Sequence, residues 1–270
     1  RPTTRAPFST TVPQFARKMA PIPASQKVVQ ITENGPSDVL KVSEAPVPQL
    51  KDDQILVRNE FAGVNYIDTY FRTGLYKTDF PLILGREAAG HVVASHPSVN
   101  GKFADGARVV YMAEATYAQY TAVAAKDVIA IPDGVDTDVA VAAFLQGLTA
   151  LTLVHEAADV QPEQWTYVAA AAGGVGSLLV QILGRLRAKV IASASTDEKL
   201  NTIAGLGKYP VKREHLLNSK SDDIFSKFQE ITGGHGIDAV FDGIGKATFE
   251  DALKIVALKG NLVSFGNAVR

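Results

Sequence analysis

Between Trp165 and Lys199 the chain sets glycines where they can hold a phosphate. A short apolar run, Trp165 to Ala172, meets Gly173-Gly174-Val175-Gly176 and then takes helical spacing, with apolar residues at Leu178, Leu179, Ile182, Leu183 and Leu186. Strand, glycine turn and helix in that order leave free N–H groups at a helix start, which is an anion site. Gly173 and Gly176 would let backbone approach a phosphate and let the helix pack on the strand, with an alanine in the place of the usual first glycine. A second strand, Lys189 to Ala194, arrives where a dinucleotide-binding unit needs one. Its tip reads Ala192-Ser193-Ala194-Ser195-Thr196, without the Asp or Glu that holds ribose hydroxyls in NAD-specific units. Hydroxyls and the ammonium of Lys199 stand there instead, a set suited to a 2′-phosphate. Lys199 as a plain solvated helix lysine is the competing reading at this point. Asp197 and Glu198 begin a helix and fit its positive end.

Other chemistries are poorly supplied. Cysteine is absent, which removes disulfides, thiolate nucleophiles and cysteine-ligated zinc. The five histidines, His91, His96, His155, His215 and His235, form no spaced ligand pair on a helix face. There is no Gly-x-Ser-x-Gly elbow and no Tyr-x-x-x-Lys pair.

The elements that must carry the site divide the chain. Its 270 residues favour two domains. A net charge of -1 and 20% charged residues give no basic footprint for nucleic acid. The longest apolar stretch, Tyr167 to Gly184, is interrupted by glycines, Ser177 and Gln181, so strand-turn-helix is expected rather than a membrane span. From Lys27 to about Ala130, short β-rich runs such as Val28–Ile31, Ile55–Arg58, Gly90–Ala94, Ala107–Tyr111 and Tyr117–Ala124 are split by turn residues, the pattern of a barrel or sandwich. Asp136 to about Ala157 takes helical spacing and could bridge the two halves. Beyond Ala194, helices at Lys199–Leu206, Ser221–Thr232 and Phe249–Leu258 alternate with strands at Ile237–Phe241 and Asn261–Phe265, which argues for a parallel sheet. Residues 1–26 carry Arg1, Arg5, Arg17 and Lys18 with no acid before Glu33; a mitochondrial targeting segment and a disordered basic tail are the two readings, with Met19 as an internal start.

Several motifs in order extend this reading: Ala62-Gly-Val-Asn-Tyr-Ile-Asp-Thr-Tyr-Phe-Arg-Thr-Gly-Leu-Tyr76, Leu84-Gly-Arg-Glu-Ala-Ala-Gly90, Gln146-Gly-Leu-Thr-Ala150, Ala170-Ala-Ala-Gly-Gly-Val-Gly176 and Ala194-Ser-Thr-Asp-Glu-Lys-Leu200. With them the chain resembles the zinc-independent quinone oxidoreductases of the medium-chain dehydrogenase/reductase superfamily, the ζ-crystallin group, and its fungal members in particular. The resemblance implies an α/β protein: a GroES-like β-barrel catalytic domain at 27–150 and a Rossmann doubly wound parallel sheet at 151–270. It implies NADPH as cofactor and quinones or related conjugated carbonyls as acceptors. Asn65, Tyr70 and Tyr76 then fall in the substrate and nicotinamide pocket. Thr149, Gly173, Gly174, Val175, Gly176, Ser195, Lys199, Asn218, Gly245, Phe265 and Gly266 fall on the cofactor, Gly266 permitting close approach of the nicotinamide. Asp68 is expected to be structural. Arg86 stands where zinc-containing relatives carry a histidine ligand, so no metal is expected. Glu87 is expected in an ordinary ion pair with Arg86 or a neighbour.

Where the chain departs from the family, three features stand out. Gly-Lys-Tyr-Pro-Val-Lys-Arg-Glu-His at 207–215 is longer than relatives usually are there and reads as a loop. Ser219 replaces a Tyr or His near the adenosine phosphate. Val269-Arg270 ends the chain before the strand that completes the family's homodimer, so a C-terminally truncated Rossmann domain is expected, with an open sheet edge. Competing functions are an enoyl-thioester reductase of the same superfamily and a non-enzymatic, NADPH-responsive RNA-binding or structural protein. The resemblance carries a small-molecule partner and mitochondrial or cytoplasmic residence, with no membrane partner.

Overall fold

The computed structural model describes residues 21–99, 101–221 and 223–266. The readings for residues 1–20, Met19 included, and for Val269-Arg270 lie outside them. β1 (Ser25–Ile31) pairs antiparallel with β2 (Lys41–Pro46), and later with the short β4. β3 (Gln54–Ala62) leads into α1 (Tyr66–Arg72), β4 (Leu82–Ile83) and β5 (Glu87–Ser95). β6 (Arg108–Met112), β7 (Tyr120–Ala124) and β8 (Val128–Ala130) complete an antiparallel sheet of order β7-β3-β5-β6-β8. It curls around Ile55, Val57, Val92, Val109, Tyr111 and Val123, alternate residues that share one face.

α2 (Thr137–Thr152), continued by a π-turn to Ala157, joins this sheet to the next. β9 (Trp165–Val168), α3 (Gly174–Arg185), β10 (Lys189–Ala194), α4 (Asp197–Ala204) and β11 (Leu216–Asn218) follow. α5 (Ile224–Thr232), β12 (Ile237–Asp242), α6 (Phe249–Ile255) and β13 (Val256–Ser264) close the order. These strands form a parallel sheet of order β11-β10-β9-β12-β13, the third after the small β2-β1-β4 sheet and the curled one. In register, Tyr167 faces Ile191 and Val168 faces Ala192. Val168, Ala192 and Phe241 pack under α3 with Leu179 and Leu183, while Tyr167, Ile191 and Val240 pack under Phe228 and Ile255. Both faces are therefore covered, as a parallel sheet requires.

The α/β architecture expected from the sequence is the one found. Local boundaries move for identifiable reasons. β9 ends at Val168 rather than Ala172, because Ala170 takes φ 51° and turns the chain. The glycines at 174–176 are already the first turn of α3. The motif segment Asn65–Tyr76 contains α1. α6 stops at Ile255 and hands over directly to β13.

The expected cut between 150 and 151 falls inside the continuous helical run Thr137–Ala157. That run is apolar and long enough by composition to cross a bilayer, with mean hydropathy 1.6. Here it bridges instead: Val141 packs with Ala89 and Val110 of the curled sheet, and Ala150, Leu153 and Val154 pack with the parallel one.

Candidate active site

A cavity of about 790 Å³ opens at the seam between the two sheets. Its first wall comes from α1 and the loop after it. Asn65 begins α1 and is 7% exposed; its N–H donates to Asp68 Oδ2 at 3.1 Å, which ties the first turn to the cap. Asp68 is buried and also accepts from Tyr117 Oη at 2.8 Å and Gly85 N at 3.3 Å. It is a structural anchor for the segment. Burial, and donation to that carboxylate, push the Tyr117 hydroxyl above its ordinary range. Tyr66 and Tyr70 lie one helical turn apart with ring centroids at 5.6 Å, edge to face. Tyr76 returns to Tyr70 at 5.4 Å, and its N–H donates to Tyr70 O at 3.2 Å. Asn65, Tyr70 and Tyr76 thus share one wall.

Glu87 lies behind that wall and corrects the sequence reading. It is 1% exposed and makes no ion pair among the described residues. Its Oε1 accepts from Asn65 Nδ2 at 2.9 Å and its Oε2 from the backbone N–H of Leu145, inside α2, at 2.9 Å. Burial pushes its carboxyl above the usual range, against those two hydrogen bonds. Arg86 takes Glu114 instead, Nη1 to Oε1 at 2.7 Å. Arg86 sits in the bend just before β5 and Glu87 is the first residue of that strand, and the two adjacent charges serve different partners.

The opposite wall comes from α2, the head of α3 and the ends of the parallel sheet: Leu145, Thr149, Val175, Gly243, Phe265 and Gly266. Thr149 Oγ1 donates to Leu145 O at 2.8 Å. A side chain at Gly266 would collide with Gly243 O, so this glycine is required by the close approach of two strand ends, whatever else it admits.

The remaining sequence-derived positions lie off the cavity wall. Gly173, Gly174 and Gly176 form the turn into α3, whose first-turn N–H groups have no carbonyl within the helix to bond. A Cβ on Gly176 would stand 2.5 Å from Ala170 O and 2.8 Å from Ala171 Cα, so glycine lets the helix sit on the strand end. At the tip of β10, Lys199 Nζ donates to Ser195 Oγ at 3.4 Å, and the Lys199 N–H is capped by Thr196 Oγ1 at 3.3 Å. Asn218 Nδ2 donates to Asp197 Oδ1 at 3.0 Å, which engages one of the two carboxylates in the first turn of α4. Gly245, at φ 93°, sits in a turn that donates to buried Asp242 rather than on the wall. The turn and tip fit a nicotinamide nucleotide with a 2′-phosphate: a glycine cradle for the pyrophosphate, then hydroxyls and one cation.

Sequence reasoning passed over Arg86 as a pocket residue, Glu87 as the partner of Asn65, and Met112, which also lines the cavity. Their partners are distant in sequence, and no local spacing signals them.

Comparison with known proteins finds relatives of this architecture. Residues 51–133 match the family described as alcohol dehydrogenase GroES-like domain, and residues 174–270 that described as zinc-binding dehydrogenase. A probable quinone oxidoreductase of Schizosaccharomyces pombe is 40% identical, over 90% of this chain and 72% of its own. The 2-haloacrylate reductase of a Burkholderia species is 34% identical over 88% of this chain and 72% of its own. The crystal structure of Escherichia coli quinone oxidoreductase complexed with NADPH superposes with a TM-score of 0.82 at 32% identity, covering 89% of this chain and 73% of that one. Relatives up to 40% identical over nine-tenths of the chain, on the fold described above, place it in the zinc-independent quinone oxidoreductase family of the medium-chain dehydrogenase/reductase superfamily.

Proposed function

We propose that the protein is an NADPH-dependent reductase of quinones and related conjugated carbonyls. The observation that carries this is the seam cavity itself: α1, with Asn65 and Tyr70, faces Val175 at the head of α3 and Phe265 after β13 across one space. A planar acceptor and a nicotinamide can meet there. The NADPH-bound Escherichia coli relative supports the cofactor, and the relative named for 2-haloacrylate extends the acceptor class to conjugated acids.

The cofactor would rest on the turn at 173–176, with its 2′-phosphate against Ser195 and Lys199. When bound, it supplies a hydride, and a proton from water completes the hydroquinone. The chain's own part is orientation. Glu87 fixes the Asn65 amide, the Tyr70 and Tyr76 rings offer faces to a flat acceptor, and the apolar wall of Leu145, Val175 and Phe265 excludes water. Homodimerisation, and mitochondrial or cytoplasmic residence, extend the proposal on the family resemblance and the basic, acid-free segment 1–26.

Stopped-flow oxidation of NADPH and NADH, with ortho- and para-quinones and a crotonyl thioester, tests it. Quinone turnover with NADPH favoured at least tenfold is expected. Faster reduction of the thioester would move the protein to the enoyl reductases, and no oxidation with any acceptor would reject the assignment.

A further inference from the structure

Arg86 is the sole cation, and Glu114 the sole carboxylate, among the described residues lining the seam cavity. The guanidinium lies over the Phe71 ring, 4.3 Å from its centroid, so an aromatic face of α1 holds it toward the space where the acceptor sits. Its side chain is 25% exposed, whereas that of Glu114 is 84% exposed. Only Nη1 is engaged, by Glu114; Nε and Nη2 have no protein partner among the described residues.

A half-buried guanidinium with free donors, paired to a carboxylate out in water, is an exchangeable anion site. The surface partner contributes little, because water screens an exposed pair. A ligand carboxylate entering from the cavity side could form the stronger charge-assisted, two-point contact.

We propose that Arg86 makes this an acceptor pocket for anions: it prefers quinones or conjugated carbonyls that carry a carboxylate, the carboxylate taking the place of Glu114. This rests on the reductase reading of the same cavity.

Two acceptors that differ only at one carboxyl group decide it: a fully substituted para-benzoquinone bearing a propionate side chain, and the methyl ester of that quinone. Full substitution blocks addition of protein amines to the ring. kcat/KM with NADPH, and equilibrium binding by calorimetry, are measured for both on the wild type, Arg86→Gln, Arg86→Lys and Glu114→Gln. In the wild type the acid is favoured about tenfold, the effect of one charge-assisted contact. The preference collapses toward unity in Arg86→Gln, partly survives in Arg86→Lys and grows in Glu114→Gln.

An acid-to-ester ratio equal in wild type and Arg86→Gln, with the ester still reduced, overturns the inference and leaves the reductase reading standing. An ester that oxidises no NADPH sinks the reductase reading, and the acid-to-ester binding ratio then judges Arg86 alone. Should Arg86→Gln fail to fold, an unchanged ratio in Glu114→Gln overturns the inference by itself.

Discussion

A buried carboxylate that accepts two N–H groups can orient whatever carries them. Because both Glu87 oxygens accept, Asn65 must turn its NH₂ toward Glu87. Glu87→Gln puts a donor against Asn65 or against Leu145 N, so the amide flips or the contact opens. Loss of one charge-assisted bond of this kind lowers kcat/KM for quinones about ten- to a hundredfold. The pH profile separates orientation from mere support. Since burial raises the Glu87 carboxyl, wild-type kcat/KM should fall on the acid side as that group protonates, while the acid limb of Glu87→Gln stays flat. The stability sign follows the same shift. A carboxyl more easily protonated when folded than when unfolded stabilises the fold below its ordinary value, and that contribution is lost as pH rises through the raised one. Wild-type melting temperature minus that of Glu87→Gln should therefore shrink from pH 4 to 8; a difference that widens counts against this account. The partners of Glu87 and Arg86 were not legible, because they lie 22, 58 and 28 residues away and only the fold brings them together.

At the scale of elements, what could be read locally was read well. The turn at 173–176 joins strand to helix within a few residues, so its glycines carry their own geometry in sequence. α1 was hidden, since a seven-residue helix between strands has too short a period to show. Tyr70, which it carries, and Tyr76 just after it were reached through the family motif alone. Gly176→Ala tests the turn with opposite signs for opposite accounts. In an unconstrained helix the change would stabilise by about 1 kcal/mol. Here the new Cβ meets backbone at 2.5 and 2.8 Å, atoms that can yield only if α3 lifts from β9. Thermal melting should show a loss of about 1–3 kcal/mol, the usual cost of overpacking, and calorimetry should show weakened NADPH binding. Unaltered affinity together with a raised melting temperature would mean that α3 does not sit where the turn needs it.

For the whole molecule, α2 is the element through which the two sheets must communicate. One helix places Val141 in the core of the curled sheet, Ala150 and Val154 in that of the parallel sheet, Leu145 N on Glu87 and Thr149 on the cavity. A nucleotide seated along the turn into α3 lies beside it, since a side chain at Gly174 would collide with the Gln146 amide. Binding to the native state alone raises stability by about 2.7 kcal/mol at a hundred times Kd. If α2 couples the halves, that gain should reach both together. NADPH should raise the melting temperature in a single transition and slow amide exchange along α2 as well as in the first turn of α3. NADH at equal concentration should do less, for want of a phosphate to meet Ser195 and Lys199. Protection confined to the parallel sheet, with the curled sheet melting unchanged, would show that α2 is only a covalent tether and that the acceptor wall is not set by cofactor binding.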